Sequence, residues 1–344
     1  MRKKLVGMLA TATLLTMALA GNVQAAEIRS VGPDGEAAVD ASTIELTDDQ
    51  IAQIKEGGYT AAICLHYGGN DWSTSQQKGL EDTFGELGIE IVAVTDANFS
   101  AETQVSNIET VMAKKPDILV SIPTDATATA DAYKQAAAAG IKIVFMDQRA
   151  NGLEAGKDYV SVVSADNYGN GYASGTVLGD ALGGKGKVAM VYYDANFAPT
   201  NQRDEGFRDA MKNYPDIEIV TEQGFTDESG CAEQGDAILT QFPNIDGIYA
   251  SWDVPMEGVL SAVRAAGMEG KVTLACNDLG NNVAREIASG NIAGGGAQMP
   301  YDQGVAEAKL AALALLGEET PSYVAVPAET VTHENVLEAY TDVY

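Results

Sequence analysis

Three adjacent side chains that suit a hydroxylated ligand follow the apolar run Thr60–Tyr67. Small and β-branched residues fill this run and predict a buried strand; after two glycines, Asn70, Asp71 and Trp72 open a helical pattern. The amide and the carboxylate can hydrogen-bond to hydroxyl groups, and the indole offers a flat apolar face. The trio therefore favours a polyhydroxylated ligand over a phosphate.

Further acids stand where other predicted strands end, at Asp147, Asp253 and Asp278. In a parallel α/β sheet the carboxyl ends of the strands border the crevice in which ligands bind. Paired carboxylates could act as a general acid and a general base, but no nucleophile elbow, metal motif or phosphate loop accompanies them. We therefore predict that they accept hydrogen bonds from a ligand and that the protein is not an enzyme.

Two glycine-rich stretches invite a nucleotide-binding interpretation without supporting it. Gly179–Gly186 matches a phosphate loop up to Lys185, yet Gly186 replaces the Ser or Thr that contacts magnesium, and the stretch joins a helix to a strand. Gly169–Gly175 has one residue too many for the dinucleotide fingerprint. The first stretch predicts a helix-ending turn and the second a close contact between helices, so no cofactor is predicted.

Potential metal ligands are scarce. His66 and His333 are the only histidines, and they form no cluster of ligand spacing with Cys64, Cys231 or Cys276, so no metal is predicted. The cysteines are too few for a disulfide framework and suit small buried apolar positions. One disulfide between an unspecified pair stays open.

Residues 1–25 have the pattern of an export signal. Basic residues follow Met1, an apolar stretch runs from Leu5 to Gly21, and small residues stand at Val23 and Ala25, where a signal peptidase reads. A stretch of about 17 moderately apolar residues is too short for a membrane span. We expect cleavage near Ala25 and a soluble, exported protein.

The chain is strongly acidic, with 49 Asp and Glu against 21 Lys and Arg and a formal net charge of −28. Such a surface repels the phosphates of nucleic acids and anionic membrane faces, so neither is predicted as a partner. The length allows two domains of ordinary size.

The hydrophobic pattern predicts a repeated α/β organisation. Residues 26–58 predict a loose arm followed by a short helix over Leu46–Lys55, which Thr47 caps. From Thr60 onward strand-like and helical runs alternate, and after a strand near Tyr159–Val163 the alternation starts again. This pattern indicates an α/β fold of two similar halves, each a parallel sheet flanked by helices.

The remaining predicted elements follow this alternation. The strands are Thr60–Tyr67, Ile89–Thr95, Ile118–Ile122, Ile141–Met146, Lys187–Tyr192, Ile217–Gln223, Ile245–Ala250, Val272–Ala275 and Ile292–Gln298. The helices are Ser73–Leu87, Ala101–Ala113, Ala126–Ala139, Asn167–Leu182, Asn201–Lys212, Cys231–Gln241, Met256–Ala266, Asn281–Ala288 and Tyr301–Leu316.

Eight short segments, none specific alone but all in the expected order, connect this pattern to a known family. They are Gly69–Trp72, Pro123–Asp125, Ile143–Asp147, Ser164–Tyr168, Asn201–Phe207, Tyr249–Asp253, Asn277–Asp278 and Gln298–Gly304. Behind an export signal, they make the chain resemble a type I periplasmic binding protein of the ribose- and galactose-binding kind, the solute receptors of ABC importers.

The resemblance implies two lobes joined by three crossovers, lobe one being residues 59–165 plus 299–326 and lobe two 166–298 plus 327–344. It also implies a monomer in the periplasm that captures a sugar or polyol between hinged lobes and delivers it to an ABC transporter permease. In such receptors aromatic faces hold the sugar ring while acids and amides bind its hydroxyls. Asp147 falls on an acid that accepts two hydroxyls, and Trp72 on a stacking position.

Some positions depart from the ribose receptors. Gln148 and Asn201 stand where those receptors carry arginines, with Arg203 interpreted as structural, and Ile122 and Trp252 replace asparagines. The predicted cleft has therefore lost cations and gained an indole, which puts ribose in doubt, and another sugar, a deoxysugar or a polyol fits as well. The candidate ligand-binding residues are His66, Asn70, Asp71, Trp72, Asp147, Gln148, Asn201, Phe225, Trp252, Asp253, Asp278 and Gln298.

Two alternatives use the same two-lobed core. A sugar-responsive transcription regulator would begin with a basic helix-turn-helix, whereas this chain begins with an export signal and an acidic arm. A receptor for a signalling small molecule, with a chemoreceptor as a partner, stays open.

Overall fold

The structure of the protein is a computed structural model that describes residues 27–343. The predicted export signal, residues 1–25, lies outside the described residues. Within residues 27–343 no helix is long and apolar enough to cross a lipid bilayer.

Strands and helices alternate along the described part of the chain, as the sequence predicts. The strands are β1 (Val39–Asp40), β2 (Thr60–Leu65), β3 (Glu90–Asp96), β4 (Ile118–Ser121), β5 (Lys142–Met146), β6 (Ser161–Ala165), β7 (Lys185–Tyr193), β8 (Asp216–Phe225), β9 (Gly247–Ala250), β10 (Thr273–Asn277), β11 (Gly294–Ala297), β12 (Tyr323–Val326) and β13 (Glu329–Thr332). The helices are α1 (Asp48–Gly57), α2 (Asp71–Glu86), α3 (Ala101–Ala113), α4 (Ala130–Ala138), α5 (Asn167–Ala181), α6 (Ala198–Met211), α7 (Cys231–Gln241), α8 (Asp253–Ala265), α9 (Asn281–Ala288), α10 (Pro300–Leu315) and α11 (Val336–Val343).

The strands form two separate sheets. The first, in the order β1-β12-β6-β5-β4-β2-β3, is parallel throughout. The second, in the order β13-β11-β10-β9-β7-β8, is parallel except for β13, which runs antiparallel to β11. Alternate residues of β2 enter different hydrophobic clusters, Ile63 on one face and Cys64 on the other, because helices cover both faces of the sheet.

The chain passes between the sheets three times, from β6 to α5, from β11 to α10 and from β12 to β13. Helix α10 packs on α2 and on the first sheet, although it follows a strand of the second. We therefore propose residues 59–165 with 299–326 as lobe one, and residues 166–298 with 327–344 as lobe two.

The N-terminal arm, defined here as residues 27–40, is bound rather than loose. Ser30 is buried, and its hydroxyl donates to Asp166 Oδ1 at 2.8 Å while accepting from the backbone N–H of Tyr168 at 2.9 Å. The backbone N–H groups of Arg29 and Ser30 also donate to the Asp166 carboxylate. Because Asp166 additionally caps α5 through the N–H of Gly169, one buried carboxylate holds the arm at the first crossover.

Both lobes contact the arm. Strand β1 pairs with β12 at the edge of the first sheet, and Asp34 forms an ion pair with Arg149 at 2.8 Å. On the side of lobe two, the Arg29 guanidinium lies 4.1 Å from the ring centroid of Tyr172, and Gln202 donates to the Val31 carbonyl. The expectation of a loose arm is therefore wrong, because its polar groups find partners around the crossover.

Glycine lets two helices approach closely beside the cleft. A Cβ on Gly171 of α5 would lie 1.8 Å from the carbonyl oxygen of Arg203 on α6, and a Cβ on Gly206 would lie 2.1 Å from that of Tyr168. The glycine-rich start of α5 thus serves close packing, as predicted, and brings the Arg203 backbone against α5. Gly183 and Gly184, both with positive φ, form the turn between α5 and β7.

Candidate ligand-binding site

A narrow cavity of about 50 Å³ lies between the two lobes, where the carboxyl ends of both sheets meet. Its wall consists of His66, Tyr67, Asn70, Trp72, Phe99, Ile122, Asp147, Tyr193, Phe197, Pro199, Thr200, Arg203, Trp252, Asp278 and Gln298. Seven of the fifteen are aromatic or imidazole rings, so almost half of the wall residues can contact the apolar face of a ring-shaped ligand.

These rings come from both lobes and support one another. His66, at the end of β2, stacks on Phe197 of lobe two with centroids 5.6 Å apart, and Trp72 meets the His66 ring edge-on at 5.8 Å. On the opposite wall Tyr193 meets Trp252 edge-on at 5.6 Å. Such contacts hold the rings in defined orientations before any ligand binds.

Asp147 supplies the carboxylate of lobe one. It follows β5 with φ 54°, and its own N–H donates to the Val163 carbonyl on β6. Oδ1 accepts from the Ser164 hydroxyl at 2.8 Å and from the Gln303 amide at 3.4 Å. Burial raises the pKa of Asp147 above its ordinary value, while the Ser164 hydroxyl opposes that shift.

Asp278 supplies the carboxylate of lobe two, and it is ion-paired. It follows β10 with φ 68°, and Arg203 Nη1 lies 3.0 Å from Oδ2. The same guanidinium donates to Asn167 Oδ1 at 2.8 Å and to the Ser251 carbonyl at 3.2 Å. Gln298, at the second crossover, donates to Asp278 Oδ1 at 2.7 Å. This acid is therefore fixed by a buried network, and Arg203 belongs to the cavity wall.

Several polar atoms of the wall have no partner within the protein. They include His66 Nδ1, Trp72 Nε1 and Gln298 Oε1, on side chains that are each at least nine-tenths buried. The indole nitrogen can only donate, whereas the amide oxygen can only accept. Because an unsatisfied buried polar group is costly, the cavity is suited to a ligand with both donors and acceptors, as hydroxyl groups are.

Burial keeps His66 uncharged. The side chain is only 4% exposed, and burial lowers its pKa from 6.5 to about 3. A neutral imidazole has one donor and one acceptor nitrogen, so His66 offers a hydrogen bond without a positive charge.

Asn70 lines the cavity and also shapes it. Its Oδ1 accepts from the N–H of Ser73 at 2.8 Å, which caps α2, and its Nδ2 donates to the Tyr67 hydroxyl. Tyr67 in turn stacks on Phe99 with centroids 4.2 Å apart. Asn70 therefore orients an aromatic pair at the rim.

Two candidates join the lobes instead of lining the cavity. The Asp71 carboxylate accepts from the N–H of Asn281 at 2.7 Å, at the N-terminus of α9 across the cleft. Gln148 Oε1 accepts from the N–H of Ala198 at 3.1 Å, at the N-terminus of α6, while Nε2 donates to the Pro123 carbonyl. Both side chains satisfy helix N-termini of lobe two, where unpaired N–H groups favour acceptors.

The structure places Asn201 away from the cavity. It is exposed, because α6 begins at Ala198 rather than at the predicted Asn201, and Arg203 lies on the buried face instead. The prediction that Asn201 lines the cavity is therefore corrected, because Arg203, on the buried face of α6, faces the cleft instead.

Phe225 and Asp253 lie beside the cavity, on a wider acidic mouth that borders it. Phe225 packs against Tyr193 and Trp252, so it supports the wall from behind. Asp253 accepts from the N–H groups of Val254 and Gly280, and burial, with a smaller effect of the Asp278 charge, raises its pKa to about 8.

The sequence interpretation missed several wall residues, among them Tyr67, Phe99, Tyr193, Phe197 and Arg203. Tyr193 comes one residue after a predicted strand end, so the rule that identified Asp147 could have found it. The missed loop aromatics carry no comparable signal, because their direction depends on how the two lobes meet.

Two α/β lobes with three crossings and a small-molecule cavity between them define a two-lobed solute-binding protein. A family profile described as "Periplasmic binding protein domain" matches residues 61–319, and the chain belongs to that family. The predicted family and fold class are thereby confirmed.

Characterised relatives are sugar-binding proteins. The D-ribose/D-allose-binding protein of Pseudomonas aeruginosa is 29% identical, with 76% of this chain and 83% of that protein covered. The ribose import binding protein of Bacillus subtilis is 27% identical, with 61% of this chain and 67% of that protein covered.

Solved structures give the same picture. An ABC transporter solute-binding protein from Agrobacterium vitis, bound with α-D-tagatopyranose, is 26% identical with a TM-score of 0.78, covering 83% of this chain and 99% of that one. One from Actinobacillus succinogenes with bound D-allose is 29% identical with a TM-score of 0.75, covering 81% and 99%.

Proposed function

We propose that this protein captures a sugar or polyol between its lobes and delivers it to the membrane permease of an ABC importer. One observation carries the proposal: the carboxylates of Asp147 and Asp278, from corresponding strand ends of the two lobes, line one cavity with Trp72. Carboxylates accept hydrogen bonds from hydroxyls, and the indole face suits the C–H side of a sugar ring. The sugars named for the relatives support the same class of ligand.

Contacts with the residues of the cavity wall can supply the binding free energy. Micromolar affinity corresponds to about −8 kcal/mol. Hydrogen bonds to charged groups contribute about 1.5–3 kcal/mol each, so a few bonds to Asp147, Arg203 and Asp278 with one aromatic contact reach this value. Specificity comes from the unpartnered polar atoms, because a ligand that lacks hydroxyls leaves them unsatisfied.

Ligand binding and closure are coupled, because only the closed state lets both lobes contact the ligand together. The bonds from Asp71 to Asn281 and from Gln148 to Ala198 cross the cleft and add to the stability of that state. In this proposal the protein binds without a catalytic step, works as a monomer in the periplasm, and presents its closed form to the permease. In a signalling role a chemoreceptor recognises the same form.

A thermal-shift screen of the mature protein against pentoses, hexoses and alditols tests the proposal. A ligand at 100 times its Kd stabilises the folded state by about 2.7 kcal/mol, so at least one compound raises the melting temperature by several degrees. Asp147→Ala abolishes that shift, whereas Asp131→Ala, at an exposed acid of the same lobe, leaves it unchanged. A screen without any shift, or a shift that survives Asp147→Ala, contradicts the proposed function.

A further inference from the structure

The cleft carries an excess of negative charge. The cavity wall holds two carboxylates, Asp147 and Asp278, against one guanidinium, Arg203. The mouth beside it has five more acids, of which Asp253 is mostly protonated at pH 7 because its pKa is about 8, and no Lys or Arg is among the described residues that line it. The acids of the mouth are Asp71, Asp227, Glu228, Asp253 and Glu257. Facing carboxylates with so few cations attract positive charge into the cleft.

The guanidinium of Arg203 already has hydrogen-bond partners within the protein. Arg203 donates to Asp278, Asn167 and the Ser251 carbonyl, all buried. Asp147 in contrast hydrogen-bonds only to neutral groups, the Ser164 hydroxyl and the Gln303 amide. The Arg203 charge acts on it only from a distance, since the described residues place no lysine or arginine within ion-pair distance of it. A buried carboxylate without a cation is costly, and an incoming cation offsets that cost.

The rest of the wall also suits a cation. Trp72, Tyr193, Phe197 and Trp252 bring aromatic rings from both lobes, and ring faces attract ammonium groups. His66 is neutral, so it adds no repulsion. The unpartnered atoms of Trp72 and Gln298 still require hydroxyl groups on the same ligand.

We propose that the preferred ligand is a hydroxylated cation, an amino sugar or amino polyol, whose ammonium group contacts Asp147. This inference rests on the proposed function and narrows its ligand class. The ammonium donates to the Asp147 carboxylate, while hydroxyls of the ligand reach the Asp278–Arg203 pair and Gln298.

Isothermal titration calorimetry of the mature protein with matched pairs tests the inference. The pairs are D-glucosamine and D-glucose, D-galactosamine and D-galactose, and D-allosamine and D-allose, each with the N-acetyl derivative of the amine. For at least one pair the amine binds at least tenfold more tightly than its hydroxyl partner at pH 7 and low salt. N-acetylation removes the gain because it removes the charge, and this arm needs no variant protein.

Two variants locate the ammonium group. Asp147→Asn keeps an acceptor oxygen and retains neutral-sugar binding, but it loses the preference for the amine. Asp131→Asn, at an exposed acid of lobe one outside the cleft, keeps the preference within about threefold because its charge is screened by solvent. Equal loss in both variants overturns the assignment to Asp147.

The outcomes separate the two proposals. Neutral sugars that bind as tightly as their amines overturn the inference and leave the proposed function standing. If the protein binds neither amines nor neutral sugars and gives no shift in the wider screen, both the inference and the proposed function are contradicted.

Discussion

Asp147 in lobe one and Asp278 in lobe two occupy equivalent places. Each follows the last residue of a parallel strand, each has a left-handed backbone, and each is 9% exposed. The N–H of Asp147 donates to Val163 on the neighbouring strand, and that of Asp278 to Gly296. Left-handed φ is uncommon outside glycine but tolerated by aspartate, so both strand ends turn a carboxylate toward the cleft in the same way.

Their surroundings differ. Asp278 is paired with Arg203 and bonded to Gln298, whereas Asp147 is bonded only to neutral groups. The protein itself thus neutralises the acid of lobe two and leaves the acid of lobe one for the ligand. One wall of the cleft is therefore assembled in advance, while we propose that the ligand completes the charge of the other.

Replacing Arg203 is expected to cost the most stability. Arg203→Met leaves the Asp278 carboxylate buried without a cation, and we expect the free energy of unfolding to fall by about 3–5 kcal/mol. Urea denaturation measures this loss. The matched control is Arg208→Met on the same helix, whose ion pair with Glu222 is 38% exposed on both sides and costs less than about 1 kcal/mol. Similar losses for both variants contradict the buried pair.

The two acids themselves respond differently to neutralisation. Asp278→Asn leaves Arg203 without its carboxylate and lowers the free energy of unfolding by about 3 kcal/mol, the lower end of the range for broken buried pairs. Asp147→Asn removes a buried charge that has no cation and changes the free energy of unfolding by less than about 1 kcal/mol. Urea denaturation of both variants without ligand measures these changes. Equal losses in the free energy of unfolding would show that the two acids do not differ in their dependence on Arg203.

The lobe-one wall stays free of positive charge because the His66 imidazole is neutral. Its folded pKa of about 3 is below the 6.5 of the unfolded chain, so the unfolded state binds more protons below pH 6.5 and stability falls with pH. Between pH 7 and pH 5 the loss is about 2 kcal/mol. His66→Gln flattens this dependence, and His333→Gln, at an exposed histidine, does not. A pH profile that His66→Gln leaves unchanged shows that the imidazole is not held neutral.

The smallest expected effect concerns the contacts that join the walls. Asp71→Ala removes the acceptor at the N-terminus of α9 without touching the cavity, and it weakens ligand affinity by about two- to fivefold, corresponding to roughly 0.5–1 kcal/mol. Calorimetry measures the affinity, and Glu81→Ala, on the outer part of α2, is the control. If Asp71→Ala leaves the affinity unchanged, the bond between Asp71 and Asn281 does not stabilise the closed state.

Much of this arrangement is predictable from sequence. Apolar runs predict the strands, and the rule that ligands meet strand ends identifies Asp147 and Asp278. The pairing of Arg203 with Asp278 is harder to predict, because the two are 75 residues apart in sequence and belong to different elements, α6 and the end of β10. The short strands β1 and β13 carry too few residues for a periodic signal.

Asp71 and Gln148 show a different limit of prediction from sequence. Both residues stand at strand ends as ligand-binding residues do, yet their partners are backbone groups of the opposite lobe. Local sequence pattern predicts which edge of the sheet a side chain occupies. Whether a ligand or a helix terminus faces it depends on the relative position of the two lobes.

The contact between Ser30 and Asp166 also affects where the folding unit begins. Similarity to the family starts at residue 61, and a recombinant chain trimmed to that boundary would look whole by alignment. It would nevertheless expose a carboxylate that has lost the donors of Arg29 and Ser30, and an edge of β12 that has lost β1. Expression designs and affinity tags are therefore better placed ahead of residue 27 than at the family boundary.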